Sequence, residues 1–243
     1  MPFSPLEQFN ILLFVWLGSI SLTNSTVILS FIAIIFVILF YTHFVHVTFL
    51  PSRWQFILES IYFFILNLFR NQVSNLLALK YFPIIFFLFN FILASNFLGL
   101  LPYGFTITSH IVFTLTIALS IFVGITVINV VNNQFDFLKL FIPTGVPMLL
   151  LPFLIIIEFV SYLIRPFSLA VRLFANMLAG HTLLNIMASF VFNCFKSFPV
   201  FAFFPLLFVV FVVVLEFCIA AVQAYIFTVL IVIYTSDIYN LSH

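Results

Sequence analysis

Charged side chains are scarce in this sequence of 243 residues, which carries seven Lys and Arg and six Asp and Glu, or 5% of the chain. A soluble globular domain is about one-quarter charged, so these few charges cannot cover a surface that faces water. Because 65% of the residues are hydrophobic, the composition excludes a soluble domain and a disordered chain. The formal net charge of +1 excludes a basic surface for nucleic acid. The surroundings of this chain are therefore expected to be lipid.

Cysteine is nearly absent as well, since Cys194 and Cys218 are the only two in the chain. Two cysteines in apolar runs are too few for a disulfide framework or a zinc site, and we expect neither a metal site nor a cofactor. The sequence also lacks the G-x-x-x-x-G-K-[ST] loop that binds nucleotide phosphates. No basic residue precedes the first apolar run, so the start of the chain lacks the pattern of a secretory signal.

Long apolar runs take the place of charge and predict an all-α, polytopic membrane protein. A span of the ~30 Å hydrocarbon core needs roughly 20 apolar residues, and about five membrane-embedded helices meet that condition. One further segment mixes charged and amide residues with Ile, Phe and Leu, which is typical of an amphipathic helix at the membrane interface. We predict one membrane domain over residues 1–243, divided into a first span at 27–50, the interfacial helix at 53–80, a helical hairpin at 81–131, and two long helices at 148–195 and 199–238.

The last two runs are too long to cross a membrane upright. At 1.5 Å per residue, helices of this size extend about 60 to 70 Å, so each must tilt steeply, bend or break. Pro166 can supply a bend, because it leaves the carbonyl group of Tyr162 without its helical partner. The loop at 132–147, which contains Pro143 and Gly145, is predicted to separate the hairpin from the long pair.

The basic loop residues predict the orientation of the chain. Arg53, Arg70, Lys80 and Lys139 fall on one side of the membrane if the spans are counted as above, and Lys196 is alone on the other. Because basic residues concentrate on the inner side, we expect the N-terminus outside and the C-terminus inside.

Six polar side chains of the first long helix follow helical spacing. At ~100° per residue they fall within an arc of roughly 80°, while the rest of the helix is mostly Leu, Ile, Phe, Val and Ala. An Arg at the bilayer centre costs roughly 2.5 to 3.5 kcal/mol on insertion scales, so this stripe must face something other than lipid. Its members are Glu158, Ser161, Arg165, Ser168, Arg172 and Asn176.

The charges in this region differ in what they can do with a proton. Arg172 keeps its proton at any accessible pH, so it is a fixed positive charge that can attract a carboxylate and block direct proton passage. Glu158 and Glu216 are carboxyl groups removed from water, which can exchange protons near neutral pH. An imidazole group such as that of His181 titrates in that range when its surroundings do not perturb it.

The second long helix repeats the pattern more sparsely with Glu216, Gln223 and Tyr234, which lie within about 20° of one another on an ideal helix. Two such stripes that face each other can enclose a hydrated path. Small residues on both helices allow their backbones to approach closely. His181 is about half a turn away from Arg172 on a straight helix, so it joins this path only if the helix curves or the path wraps around it.

Five motifs together resemble the subunit a family of F-type ATP synthases (ATPase subunit 6), in its mitochondrial form. The most specific is SLAVRLFANMLAGH at 168–181, which holds Arg172 and His181. The others are SPLEQF at 4–9, SNFLGLLPY at 95–103 followed by Thr108, Ser109 and His110, FIPTGVP at 141–147, and the stretch from Leu215 and Glu216 through Gln223 to Tyr234. The likeness covers nearly the whole chain, although Gly99 stands where some bacterial members carry an acidic residue.

The resemblance implies a role for each of these residues. Arg172 resembles the essential arginine that faces a carboxylate on each subunit of a rotating c-ring. His181 and Glu216 would line a half-channel open to the intermembrane space, with Asn176 and Gln223 near its inner end. Glu158 resembles the acidic residue of the matrix-side half-channel. A choice between a channel role and a structural role stays open for Arg165, Ser168, Asn96 and Tyr234: Arg165 can pair with Glu158 or reach a headgroup, and Asn96 can hydrogen-bond a neighbouring helix.

The hypothesis that follows is a proton-conducting stator, itself non-catalytic, in the mitochondrial inner membrane. Its N-terminus would face the intermembrane space and its C-terminus the matrix, and the absence of an Arg-rich transit pattern suits synthesis inside the organelle. Its partners would be the c-ring, other membrane and peripheral-stalk subunits, and lipid, but no nucleic acid. The mitochondrial likeness favours H⁺ over Na⁺ as the ion.

Three alternatives belong to other classes. A redox subunit that holds haem needs pairs of His on facing spans at matching depth, which the five His residues do not offer. A structural anchor predicts that loss of the Arg172 charge harms only assembly. A stand-alone channel or transporter predicts conduction without a ring.

Overall fold

The computed structural model describes residues 9–17, 20–45, 53–73, 76–101, 104–134, 150–197 and 202–240. It confirms an all-α membrane protein with a small β-hairpin added at its start. The elements are β1 (Leu13–Leu17), β2 (Ile20–Thr23), α1 (Asn24–Val45), α2 (Arg53–Gln72), α3 (Phe82–Gly99), α4 (Ile111–Asn133), α5 (Leu151–Ser197) and α6 (Phe203–Asn240), with 3₁₀ turns at Leu76–Tyr81 and Ile107–Ser109.

Four helical stretches among the described residues are long and apolar enough to cross a membrane, namely Leu79–Gly99, Ile111–Asn133, Leu151–Ser197 and Phe203–Ser236. In α1, the part with described side chains ends near Ile38 and is apolar but shorter than a span. In full, α1 has 22 residues, which at 1.5 Å per residue gives about 33 Å. The predicted helical spans are therefore confirmed as helices, and the chain is a multi-pass membrane protein.

The β-hairpin is the element that the sequence did not predict. Its two strands are antiparallel, with Leu17 opposite Ile20 and Leu13 opposite Thr23. Apolar runs of this length suit a strand or a helix equally well by periodicity, and only the backbone pairing separates the two. The predicted interfacial segment at 53–80 also differs, because α2 ends at Gln72 and a separate 3₁₀ turn follows at Leu76–Tyr81.

The two long helices are close to their predicted bounds. α5 has 47 residues and continues through Pro166, and α6 has 38. At 1.5 Å per residue they are about 70 and 57 Å long, so the argument for steep tilting applies to the observed helices. Gln134 follows α4 with a positive φ of 44°, which ends the helix because a non-Gly residue rarely continues in that conformation. The rest of the predicted loop, with the motif at 141–147, lies outside the described residues, as do residues 1–8.

The chain divides into two compact units, and the prediction of one membrane domain stays a prediction. The first unit contains Met1–Pro51, Asn90–Ile111 and Leu173–Tyr225. Here α1 packs against the 3₁₀ turn at Ile107–Ser109, and the buried side chains come from α1, α3, α5 and α6. They include Ile32, Ile92, Leu173, Met177, Ala220 and Ala224.

The second unit contains Ser52–Phe89, Val112–Arg172 and Ile226–His243. Its core is rich in aromatic side chains where α2 packs on the start of α3. The ring of Tyr62 meets those of Phe82 and Phe86 edge-on, at centroid distances of 5.2 and 5.6 Å. Ile65 is fully buried while Arg70 is exposed, as expected of an amphipathic helix.

Candidate functional site

The first unit contains a cavity of about 250 Å³ whose wall is formed mainly by α5 and α6. Three of the predicted half-channel residues, Asn176, His181 and Glu216, line it together. The structure therefore brings His181 to the same space as Glu216, which the half-turn offset in the sequence left open. The remaining lining residues are apolar or small: Leu100, Met177, Ala179, Gly180, Leu183, Val212, Leu215, Ile219 and Ala220.

Glu216 is the acidic group of this cavity. Its side chain is only 7% exposed, and both of its carboxyl oxygens are buried without a hydrogen-bond partner in the described part of the chain. The same is true of Nε2 of His181. A buried polar atom that lacks a partner costs free energy, so a water molecule is favoured beside these atoms. The cavity is large enough for several waters, and this arrangement can pass protons.

Gly180 allows the carboxyl group to lie against α5. A Cβ atom built on Gly180 would lie 2.7 Å from Oε1 of Glu216 and 3.0 Å from its carboxyl carbon. The sequence predicted a close approach of the two backbones through small residues. The structure shows that the space freed by Gly180 is occupied by the Glu216 side chain itself.

A polar contact joins the two long helices at the same cavity. Nδ2 of Asn176 donates a hydrogen bond to Oε1 of Gln223 at 3.1 Å, and Gln223 is 4% exposed. Both residues were predicted for the inner end of one half-channel, and the structure places them in direct contact. Glu216 lines the cavity, and Gln223, two turns later on α6, bonds Asn176 of the cavity wall.

Asn96 of α3 also contacts α6. Its side chain is fully buried, and Nδ2 donates to the carbonyl oxygen of Ala220 at 3.4 Å, while Oδ1 has no hydrogen-bond partner in the described residues. This contact agrees with the interpretation that Asn96 hydrogen-bonds a neighbouring helix. Because Ala220 lines the cavity, the contact also holds α3 next to the cavity wall.

Arg172 is the last residue of its segment in the second unit. Its side chain is exposed, and it forms no salt bridge with a carboxylate of the residues described. Ser168, one turn earlier, is exposed as well and donates its hydroxyl to the carbonyl oxygen of Arg165 at 3.1 Å. Within the described part of the chain, the guanidinium group is thus left without a carboxylate partner.

Arg165 contacts two aromatic rings in the described part of the chain. Its guanidinium carbon lies 5.4 Å from the ring centroid of Tyr234 on α6 and 5.8 Å from that of Tyr162 on α5. The ring of Phe122 on α4 contacts that of Tyr162 at 4.7 Å. Among the described residues Arg165 makes no salt bridge with Glu158, which was one of the two structural alternatives for this side chain. Its cation–π contacts favour a structural role for Arg165 and Tyr234.

Glu158 belongs to the second unit. It is half-buried, and no ion pair joins it to a basic residue in the described part of the chain. In the same part of the chain, no three or more His, Cys, Asp and Glu side chains are grouped so that they could hold a metal ion.

One contact of the cavity-lining residue His181 was not predicted from the sequence. The ring of Phe9 meets that of His181 edge-on, with 6.3 Å between the centroids and 86° between the planes. Phe9 carries no charge and lies near the opposite end of the chain, so no periodicity or spacing connects it to His181.

The comparison with protein families gives one match, in which the model of the family described as "ATP synthase A chain" covers residues 24–236. That range includes every candidate residue named above except Phe9.

Individual proteins are similar over the full length. A protein of Acanthamoeba castellanii named ATP synthase subunit a is 60% identical over 247 aligned residues, which cover 100% of both chains. Proteins with the same name from Chondrus crispus and Rhodospirillum rubrum are 43% and 42% identical, over 98% of this chain and 96% and 99% of their own.

Proposed function

Since this chain belongs to the ATP synthase A chain family, the proton-translocating stator subunits of the ATP synthase membrane sector, we propose that it conducts protons through two half-channels that open on opposite sides of the membrane. Between them, a ring of c subunits carries each proton on a carboxyl group. The cavity that holds Glu216 and His181 is the observation that carries this proposal.

The first half-channel takes protons from the intermembrane space. A proton is received by Glu216 or His181, whose buried atoms lack hydrogen-bond partners among the described residues, and is passed towards Asn176 and Gln223. From there it moves to a carboxylate of the ring, which becomes a neutral carboxyl group. A neutral carboxyl group can enter lipid at far lower cost than a carboxylate, so the ring can turn.

Arg172 separates the two half-channels. Its guanidinium group keeps its proton and therefore cannot pass one on, but it favours the ionised form of a carboxylate that comes near. Its exposure, and the absence of a salt bridge to it from the described carboxylates, support an acidic partner on another subunit. Because an unpaired Arg within a membrane is costly, such a partner would stabilise this side chain.

The second half-channel releases the proton to the matrix past Glu158. This residue is half-buried and forms no ion pair with the basic residues described. Each charge that crosses the membrane supplies about 2.3 kcal/mol per 100 mV, which the ring converts into rotation.

The setting of this activity is the mitochondrial inner membrane, with the N-terminus towards the intermembrane space and the C-terminus towards the matrix. The excess of basic residues in the segments assigned to the matrix side supports that orientation. Lipid and the other ATP synthase membrane and peripheral-stalk subunits are the remaining partners.

The variant Arg172→Ala in the assembled complex tests the role of the fixed charge. Without it, a proton can pass from one half-channel to the other without rotation, so ATP synthesis driven by a proton gradient should fall to background while the complex stays intact. Synthesis is measured in vesicles, and assembly on a native gel. Arg70→Ala, which removes an exposed cation of α2, is the matched control and should synthesise ATP normally; normal synthesis by Arg172→Ala would contradict the proposal.

The variant Glu216→Gln tests the first half-channel. Gln has nearly the same shape as Glu but cannot exchange a proton, so ATP-driven acidification of vesicles should slow by roughly tenfold or more, with the ring still bound. Gln223→Glu would add a charge, so it is not an equivalent control. Glu59→Gln on α2 removes a carboxylate that does not line the cavity, and it should leave acidification unchanged. An unaltered rate in Glu216→Gln would exclude Glu216 from the path.

A further inference from the structure

In the described part of the N-terminal segment, the aromatic side chain of Phe9 contacts a residue of the cavity wall. Phe9 is half-buried and its ring stands edge-on to that of His181, at 86° and 6.3 Å between centroids. Both residues belong to the first unit. Aromatic pairs at this distance favour such an edge-on arrangement, so the contact favours one orientation of the His181 ring.

The segment that carries Phe9 is anchored to its own unit. The N–H group of Asn24 donates to the carbonyl oxygen of Leu12 at 3.2 Å, and β1 and β2 pair between these residues. α1 follows directly and packs against the 3₁₀ turn at Ile107–Ser109. Phe9 therefore precedes a hairpin that backbone hydrogen bonds tie to the start of α1.

His181 has two different neighbours within the first unit. It lines the cavity together with Glu216, and it meets Phe9 through an edge-on ring contact. An apolar ring excludes water from the surface that it covers, whereas the cavity offers His181 a polar neighbour.

We propose that Phe9 is a positioning residue that covers the imidazole ring of His181 and shields it from direct contact with bulk solvent, so that His181 exchanges protons through the cavity. This inference rests on the proposed function only for its effect on proton flow. The cover itself is a matter of chemical access, which can be measured without any proton transport.

Diethyl pyrocarbonate, which acylates accessible imidazole nitrogens, tests the cover in the complete complex in native membranes. The rate at which the peptide containing His181 is modified is followed by mass spectrometry. Phe9→Ala should raise that rate several-fold, because it removes the ring. The rate at His110, which packs against the ring of Phe105 at 5.2 Å, should not change and serves as an internal control.

Two further variants separate the ring from its volume. Phe9→Tyr keeps the ring and should restore the slow modification of His181. Phe9→Leu keeps apolar volume without a ring edge and should give an intermediate rate. Phe204→Ala removes a Phe that is 79% exposed on α6 and should leave the rate unchanged.

The outcomes decide the proposal in each case. A rate at His181 that is the same in Phe9→Ala, Phe9→Leu and the unaltered chain would overturn it. If Phe9→Ala does not assemble on a native gel, Phe9→Leu alone decides, with a raised rate in support and an unchanged rate against. Neither result depends on Arg172→Ala or Glu216→Gln, so failure of the proposed function would be seen separately.

Discussion

At the scale of single residues, two polar side chains of the cavity wall carry buried atoms that have no hydrogen-bond partner among the described residues. Glu216 is buried with both carboxyl oxygens free of hydrogen bonds to the described residues. Such an atom gains free energy from a hydrogen-bond donor, so a water molecule is favoured beside this carboxyl group. Arg172 is the opposite case, because its charge is permanent and its side chain is exposed.

Gly180→Ala should disturb this carboxyl group without a change of charge. The added Cβ would lie 2.7 Å from Oε1 of Glu216, so the carboxyl must move away from α5. A displacement of this size can reduce proton transfer by roughly tenfold or more, which acidification of vesicles would measure.

Gly124→Ala on α4 is the matched control for that variant. A Cβ at Gly124 has no neighbour within 4 Å, and Ala in a helix is more stable than Gly by about 1 kcal/mol. We expect normal acidification and an unchanged or slightly higher stability. Equal rates for both Gly variants would show that the position of the Glu216 carboxyl is not critical.

At the scale of elements, polar contacts join the long helices to their neighbours within each unit. In the first unit, Asn176 on α5 bonds Gln223 on α6, and Asn96 on α3 bonds the backbone at Ala220. In the second unit, Arg165 on α5 lies over the ring of Tyr234 on α6. Lipid supplies little apolar driving force between helices, so such contacts and close packing hold them together.

Tyr234→Leu should weaken the second unit, because it removes the ring under Arg165. A partly buried cation–π contact contributes about 1 kcal/mol, which for a chain of this size lowers the midpoint of thermal dissociation by about 2–4 °C. The midpoint is measured on the detergent-solubilised complex. Tyr234→Phe keeps the ring and should lose less; an equal loss in both variants would assign the stabilisation to the hydroxyl group instead.

At the scale of the whole molecule, the proposed function requires that this chain, with two separated half-channels, does not conduct protons alone. The purified chain in vesicles should show no proton flux above background under a potassium diffusion potential, since no ring carboxyl carries the proton past Arg172. Flux should appear when the c-ring is added. A protonophore provides the positive control, and conduction by the chain alone at the rate of the complex would favour a stand-alone channel.

Much of the fold was predictable because lipid restricts the choice of structure. Within hydrocarbon every backbone polar group needs an internal partner, so apolar runs near residues 27–50, 81–131, 148–195 and 199–238 had to form helices. The helical period alone then predicted that the polar residues from Glu158 to Asn176 share one face of their helix. The hairpin before α1 was not predicted, since its short apolar strands have no distinct period.

The sequence by itself determined which side chains carry charge in the membrane and which face of each long helix they occupy, because helical geometry is local. Only the tertiary structure decided which groups meet: Glu216 and His181 at one cavity, Glu216 against Gly180, Arg165 on the ring of Tyr234, and Phe9 on His181. These contacts join residues far apart in the chain, and they depend on how the helices pack, which no local period encodes.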